Sequence, residues 1–343
     1  MGIISSRGTM VEERDNMAAY LARRFLYMLL MLLMASVVSF TIISLPPGDY
    51  LTSYINRLKA EGGDVGEEIA LALRRQYGLD SPVYVQYFKW MGKLVRGDMG
   101  RSFLYDRPVS EVIGARMGMT VLVSIATLII TYLIAVPIGV YSAIRQYSIG
   151  DYIFTVFGFG GVSVPSFLVA LVLMVSAYRT FGVSIGGLLS LEYVDAPWGW
   201  PKIQDFLRHL PIPLLVIGLS GTAYIVRVMR ATLLDELSKP YVQTARAKGL
   251  KESSLLVKYP IRVALNPIAS TIGWALPAIF SGQIIVAVVL DLPTLGPVLY
   301  KALMQQDMFL ASSTIMVTTA LTFVGTLISD ILLGWLDPRI RYA

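Results

Sequence analysis

The chain has 343 residues, 55% of them apolar and only 15% charged, whereas an ordinary soluble domain is about a quarter charged. It carries no cysteine and one histidine, His209, which excludes a disulfide framework, a Cys/His zinc site and a two-histidine metalloprotease motif. The formal charge of +6 needs no nucleic-acid partner, because cytoplasmic loops of membrane proteins collect Lys and Arg.

A helix needs about 20 apolar residues to cross a hydrocarbon core about 30 Å thick, and six stretches meet or approach that length. After an N-terminal segment, 1–24, the first runs from Phe25 to Leu45. It is longer than the apolar region of a signal peptide, about 7–15 residues. It is followed by Pro46, Pro47 and Gly48 rather than a small-residue cleavage pattern, so a retained helix is predicted. The loop 46–118 holds ten basic and nine acidic residues and is nearly neutral. Within it, Gly66 to Tyr77 reads as a helix, with Glu67 and Glu68 at its start and Arg74 and Arg75 near its end, as the helix dipole favours. A loop this long is rarely structureless, and a small helical cap is expected.

The second stretch is Met119 to Ile144 and the third Tyr152 to Tyr178, interrupted by Pro165. The fourth, Leu210 to Val228, opens Leu-Pro-Ile-Pro, and His209 just before it reads as interfacial. A basic segment, 229–267, leads to the fifth, Ile268 to Leu290, interrupted by Pro277, and the sixth is Leu310 to Leu333. The core therefore covers 119–333, with a tail at 334–343. The fold class is an all-α integral membrane protein with six transmembrane helices and a helical loop between the first two. Gly158, Gly160 and Gly161 miss the Gly-x-Gly-x-x-Gly spacing of a dinucleotide loop, and close helix packing explains them better.

Orientation follows from Lys and Arg in the short loops. Arg7, Arg14, Arg23 and Arg24 precede the first span. Arg230, Lys239, Arg246, Lys248, Lys251, Lys258 and Arg262 lie between the fourth and fifth, and Arg339 and Arg341 lie in the tail. These segments are an even number of crossings apart, so both termini and the basic segment share the cytoplasmic side. The loop 46–118 falls outside, and its ten basic residues do not break the rule, which weakens for loops beyond about 60 residues.

The basic segment contains Tyr241-Val242-Gln243-Thr244-Ala245-Arg246-Ala247-Lys248-Gly249-Leu250, with Ser238 and Pro240 before it and Pro267 after it. The pattern reads as a short helix, a glycine stop after a lysine, and a second helix ended before Pro267. Small residues Thr244, Ala245 and Ala247 would let another surface approach closely. A helix–Gly–helix hairpin on this face suits docking into a groove of a partner.

This hairpin resembles the coupling loop of ABC importer permeases, in which Glu-Ala-Ala is followed after three residues by Gly. Gln243, Thr244, Ala245 and Gly249 occupy those positions. The Glu and the first Ala are replaced, but the string TARAKGL is the form that the dipeptide/oligopeptide branch carries. Further segments resemble the same branch, in the same order: LPPGDYL (45–51), YGLDSPVYVQYFKW (77–90), RGDMGRSF (96–103), RPVSEVIGARMGMT (107–120), VSVPSFLVAL (162–171) and LDPRIRY (336–342).

The resemblance implies a type I ABC importer permease fold and a non-enzymatic subunit in the cell (inner) membrane. Its implied partners are a second homologous permease, two cytoplasmic ATPases each gripping the hairpin of one permease, an extracellular solute-binding protein, and the surrounding lipid. It also implies peptides or oligosaccharides as cargo, with nickel carried by other members of the family. No Gly-x-x-x-x-Gly-Lys-Ser/Thr loop occurs in the chain, so no cofactor is expected here, and ATP and Mg would be held by the ATPases.

Two polar stripes are candidates for the lining of a pore. Thr319, Thr322, Thr326 and Asp330 share one helical face, and Thr271, Trp274 and Ser281 another. Against this, Ser and Thr often bond the carbonyls of their own helix, and Asp330 could pair with a basic residue such as Arg227. A self-sufficient secondary transporter is the alternative function. It predicts more ionisable residues at midplane and often an internal repeat, and neither is visible.

Overall fold

The structure is a computed structural model that describes residues 23–41, 81–182 and 185–336. The predicted helix at Gly66–Tyr77, the N-terminal segment and the tail lie outside these residues. Helix α1 is Arg23–Thr41. Helix α2, Val83–Val95, is followed by a two-stranded antiparallel hairpin, β1 Arg101–Ser102 and β2 Arg107–Pro108. Then come α3 Val109–Ile144, α4 Ile149–Ser163, α5 Ser166–Phe181, a 3₁₀ turn at Leu191–Tyr193, α6 Trp200–His209 and α7 Pro211–Leu237. The chain continues with α8 Pro240–Ala247, α9 Glu252–Lys258, α10 Pro260–Val289, α11 Leu295–Met304 and α12 Met308–Leu336.

Packing divides the described residues into two units, one of residues 23–41, 81–115 and 298–327, the other of 116–182, 185–297 and 328–336. In the first, Phe40 and Trp90, each 2% exposed, stack at 5.4 Å, with the Tyr87 ring edge-on to Phe40 at 5.6 Å. Tyr87 Oη lies 2.8 Å from Ser36 Oγ. This aromatic knot ties α1 to α2. Asp307 is fully buried. Its carboxylate accepts from the Ser102 hydroxyl (2.7 Å), the Leu104 N–H (3.0 Å) and the Leu310 N–H (3.1 Å). It thus caps the start of α12 and holds the β hairpin there, while Phe103 rests on Phe309.

In the second unit α7 and α10 form the principal packed pair. Their shared core with α3 contains Ala135, Ala143, Met229, Leu233, Ala264 and Ile268. Lipid offers helices no hydrophobic reason to associate, so close van der Waals approach must do it. Gly139 shows this: a Cβ there would stand 2.6 Å from Met229 Cβ. A Cβ on Gly161 would meet Leu219 at 3.2 Å, whereas one on Gly158 or Gly160 would meet nothing within 4 Å. Within this chain, close packing is therefore seen at Gly161.

Several expectations need correction. The stretch Tyr152–Tyr178 is two helices rather than one kinked helix. Val164 is extended (φ −97°, ψ 126°) between α4 and α5, because the ring of Pro165 crowds an α-helical conformation at the preceding residue. At 1.5 Å per residue α4 and α5 each rise about 23 Å, so neither alone crosses about 30 Å of hydrocarbon. Among the described residues, four helical stretches are long and apolar enough to cross, Arg23–Thr41, Val109–Ile144, Trp200–Leu237 and Met308–Ile328. Helix α10 has 30 residues and runs unbroken through Pro277. The cap is not wholly helical, since it includes the β hairpin. Helices also outlast their apolar runs: α3 begins ten residues before Met119 and α7 ends nine after Val228.

Candidate functional site

The hairpin of α8 and α9 joins the paired helices α7 and α10. Pro240 occupies the first helical position, where its missing N–H costs nothing. Lys239 before it is extended (φ −67°, ψ 146°), as a residue preceding proline prefers. Helix α8 ends in a reciprocal carbonyl cap. The Gly249 N–H donates to Arg246 O (3.0 Å) and the Leu250 N–H to Ala245 O (3.4 Å), while Gly249 takes φ +75°, which only glycine adopts freely. Helix α9 follows Lys251, and Tyr259 alone separates it from Pro260 at the head of α10.

The hairpin has its own small core. Val242 and Leu255 are fully buried and Ala245 is 7% exposed, with Leu250, Leu256 and Tyr259 packed around them. Of the residues singled out from sequence, Ala245 therefore points into the hairpin. Tyr241, Gln243, Thr244, Arg246, Ala247, Lys248 and Gly249 are exposed and form its outer surface.

Polar bonds brace this surface. Arg246 Nη2 and Nε donate to Glu252 at 2.6 and 3.2 Å, across the glycine turn. These hydrogen bonds hold the Glu252 carboxyl below its ordinary range and raise Arg246. Tyr241 donates a short hydrogen bond to Glu236. Burial, then the Glu236 bond and charge, pushes its phenol up to about 12. Gln243 Nε2 donates to Ser238 O at 3.3 Å, Thr244 Oγ1 to Pro240 O at 2.9 Å, and Lys239 pairs with Asp235 at 3.0 Å. Sequence reading passed over Glu236 and Glu252. The visible signal for Glu252 is an acidic residue opening a helix just after the glycine stop.

A second charged cluster lies on the last turns of α7. Arg230 donates through Nε and Nη2 to the two oxygens of Asp151, each at 3.0 Å.

The stripes separate. The Thr322 and Thr326 hydroxyls donate to Thr318 O and Thr322 O, each at 2.9 Å, and all are half-buried. Thr319 is half-buried as well. Thr271 is 6% exposed. It donates to Ile268 O (2.7 Å) and accepts from Tyr132 Oη (2.6 Å), binding α10 to α3. The side chains of Trp274, Ser281 and Asp330 lie outside the described residues, and so does the pairing envisaged for Asp330. His209 Nδ1 donates to Asp205 O at 2.8 Å.

Comparison with known proteins gives a family. Residues 135–342 match the model of the binding-protein-dependent transport system inner membrane component. Residues 17–126 match the model of the N-terminal part of such membrane components. The oligopeptide transport system permease protein AppB of Bacillus subtilis is 36% identical over 334 residues, covering 95% of this chain and all of the relative. A putative peptide permease protein of Brucella ovis is 36% identical over 327 residues, 95% of this chain and 99% of the relative. The oligopeptide transport system permease protein OppB of Mycobacterium bovis is 29% identical over 329 residues, again 95% and 99%.

Proposed function

Since the chain belongs to the binding-protein-dependent transport system inner membrane component family, we propose that it is one of two permease subunits lining the path of an ATP-driven peptide importer. The observation that carries this reading is the exposed, internally braced α8–α9 hairpin set between the two principal packed helices. A rigid knob so placed transmits a push from a partner into both helices, because α8 is joined to α7 by two residues and α9 to α10 by one.

The reading extends to a working arrangement. Six crossings are formed by α1, α3, the α4–α5 pair, α7, α10 and α12, with both termini and the hairpin cytoplasmic. Two ATPases, holding ATP and Mg, grip the hairpins of this chain and of a homologous permease. A solute-binding protein delivers cargo to the outer loops. The cargo is a peptide, a reading supported by the names of the relatives, and oligosaccharide is a second chemical option from the family resemblance. The Thr319, Thr322, Thr326 and Asp330 face of α12 borders the path.

Purification from the native membrane in mild detergent tests the proposal. Two ATPases and a second permease are expected to accompany the chain, with ATP hydrolysis by the preparation. Gly249→Pro removes the N–H bonded to Arg246 O and imposes φ near −65° where +75° is required. Transport should be lost while insertion persists. A chain recovered alone and driven by an ion gradient would sink the proposal.

A further inference from the structure

One buried ion pair of the second unit fastens three of its elements. Asp151, in the first turn of α4, is 2% exposed. Its Oδ1 and Oδ2 receive the Arg230 fork at 3.0 Å each, and Oδ2 also accepts the Tyr147 N–H at 3.0 Å. The Asp151 N–H in turn donates to Ser148 Oγ at 3.2 Å, capping α4. Tyr147 takes φ +63°, so the turn from α3 to α4 is folded onto this carboxylate. The start of α4 is also seated on α3, since a Cβ at Gly150 would stand 2.6 Å from Tyr141 Oη. One carboxylate thus fastens the α3–α4 turn, α4 and α7 together.

The position of Arg230 gives the arrangement its meaning. It lies seven residues before Leu237, the last residue of α7, about 10 Å along the helix axis from the hairpin. Between them Leu233 is fully buried, so this stretch of α7 is packed and transmits displacement. Resting on the coupling reading above, we propose that Asp151 and Arg230 are positioning residues: a latch that makes α4 and the α3–α4 turn follow α7 when the hairpin moves. Two apolar residues could hold the helices together equally well and avoid the cost of burying charge. The planar fork of arginine adds a single fixed geometry, so the joined elements shift together rather than slide. Lysine, a point charge on a flexible stem, would not reproduce it.

The test uses the co-purified complex and a thiol reagent as probe. The chain contains no cysteine, so Lys248→Cys reports on the hairpin and Tyr152→Cys, 59% exposed, on α4. Labelling is read on peptides of this chain by mass spectrometry, with and without ATP. In the otherwise native chain, ATP should change the labelling rate at both positions. In Arg230→Lys and Asp151→Asn the response at 152 should be lost while that at 248 persists, and the exchanged pair Asp151→Arg with Arg230→Asp should restore it. A response at 152 that survives in the single variants overturns the latch. So does a native chain that responds only at 248, or failure of every variant, Arg230→Lys included, to assemble, which would make the pair a folding element. Absence of any response at 248 in the native chain would instead overturn the coupling reading.

Discussion

Asp307 is a buried carboxylate at which burial dominates the hydrogen bonds from Leu104, Ser102 and Leu310, so its carboxyl is raised. The sign follows by linkage: the stabilisation tied to Asp307 is full below the ordinary aspartate value, about 4, and is lost as pH rises through its raised value. Asp307→Ala would leave the Ser102, Leu104 and Leu310 donors without their acceptor, at a cost of about 1–3 kcal/mol. Melting should fall by several degrees, and an unshifted transition would contradict the capping role. Neither pairing could be read from the sequence, because Asp151 and Arg230 are 79 positions apart and Ser102 and Asp307 are 205. Gly249 was legible, because a helix stop is written in adjacent residues.

At the scale of elements, the first helix and the glycine stop of the hairpin matched their local signals closely, whereas the second helix ends at Lys258, just before Pro260, and Pro267 lies inside α10. Proline at the start, glycine at the stop and the exposed polar face all act within one or two turns. Helix ends were less legible elsewhere, because a hydropathy pattern marks where lipid is tolerated, not where backbone hydrogen bonding ceases. The break at Pro165 is the clearest instance: the apolar run continues through it while the helix does not. Pro165→Ala supplies the missing N–H and frees Val164 to become helical, which should fuse α4 and α5. Cysteine scanning across 158–172 with a thiol probe should then show one uninterrupted 3.6-residue period. A phase jump persisting at 164–165 would mean that packing, rather than proline, sets the break. Pro277 shows that the residue alone does not decide, since α10 continues through it.

For the whole molecule, orientation and the transport path are the open physical questions, and the cysteine-free chain suits both. Lys248→Cys should react with a membrane-impermeant reagent only in inverted vesicles, and Trp198→Cys, at an exposed site, only in right-side-out cells. The reverse pattern would invert the topology. Single cysteines at 319, 322 and 326 should be labelled in an ATP-dependent manner if this face of α12 borders the path, and uniform inertness would remove it. By itself the sequence determined the membrane class and the hairpin, because apolar length, loop charge and helix-stop chemistry are properties of contiguous residues, and it pointed to the family through the resemblance of its motif strings. Only the tertiary structure decided that Ala245 faces inward, that Thr271 bonds Tyr132 and that Asp151 is fastened to Arg230. Those facts depend on which distant faces pack together, and a list of residues carries no record of that.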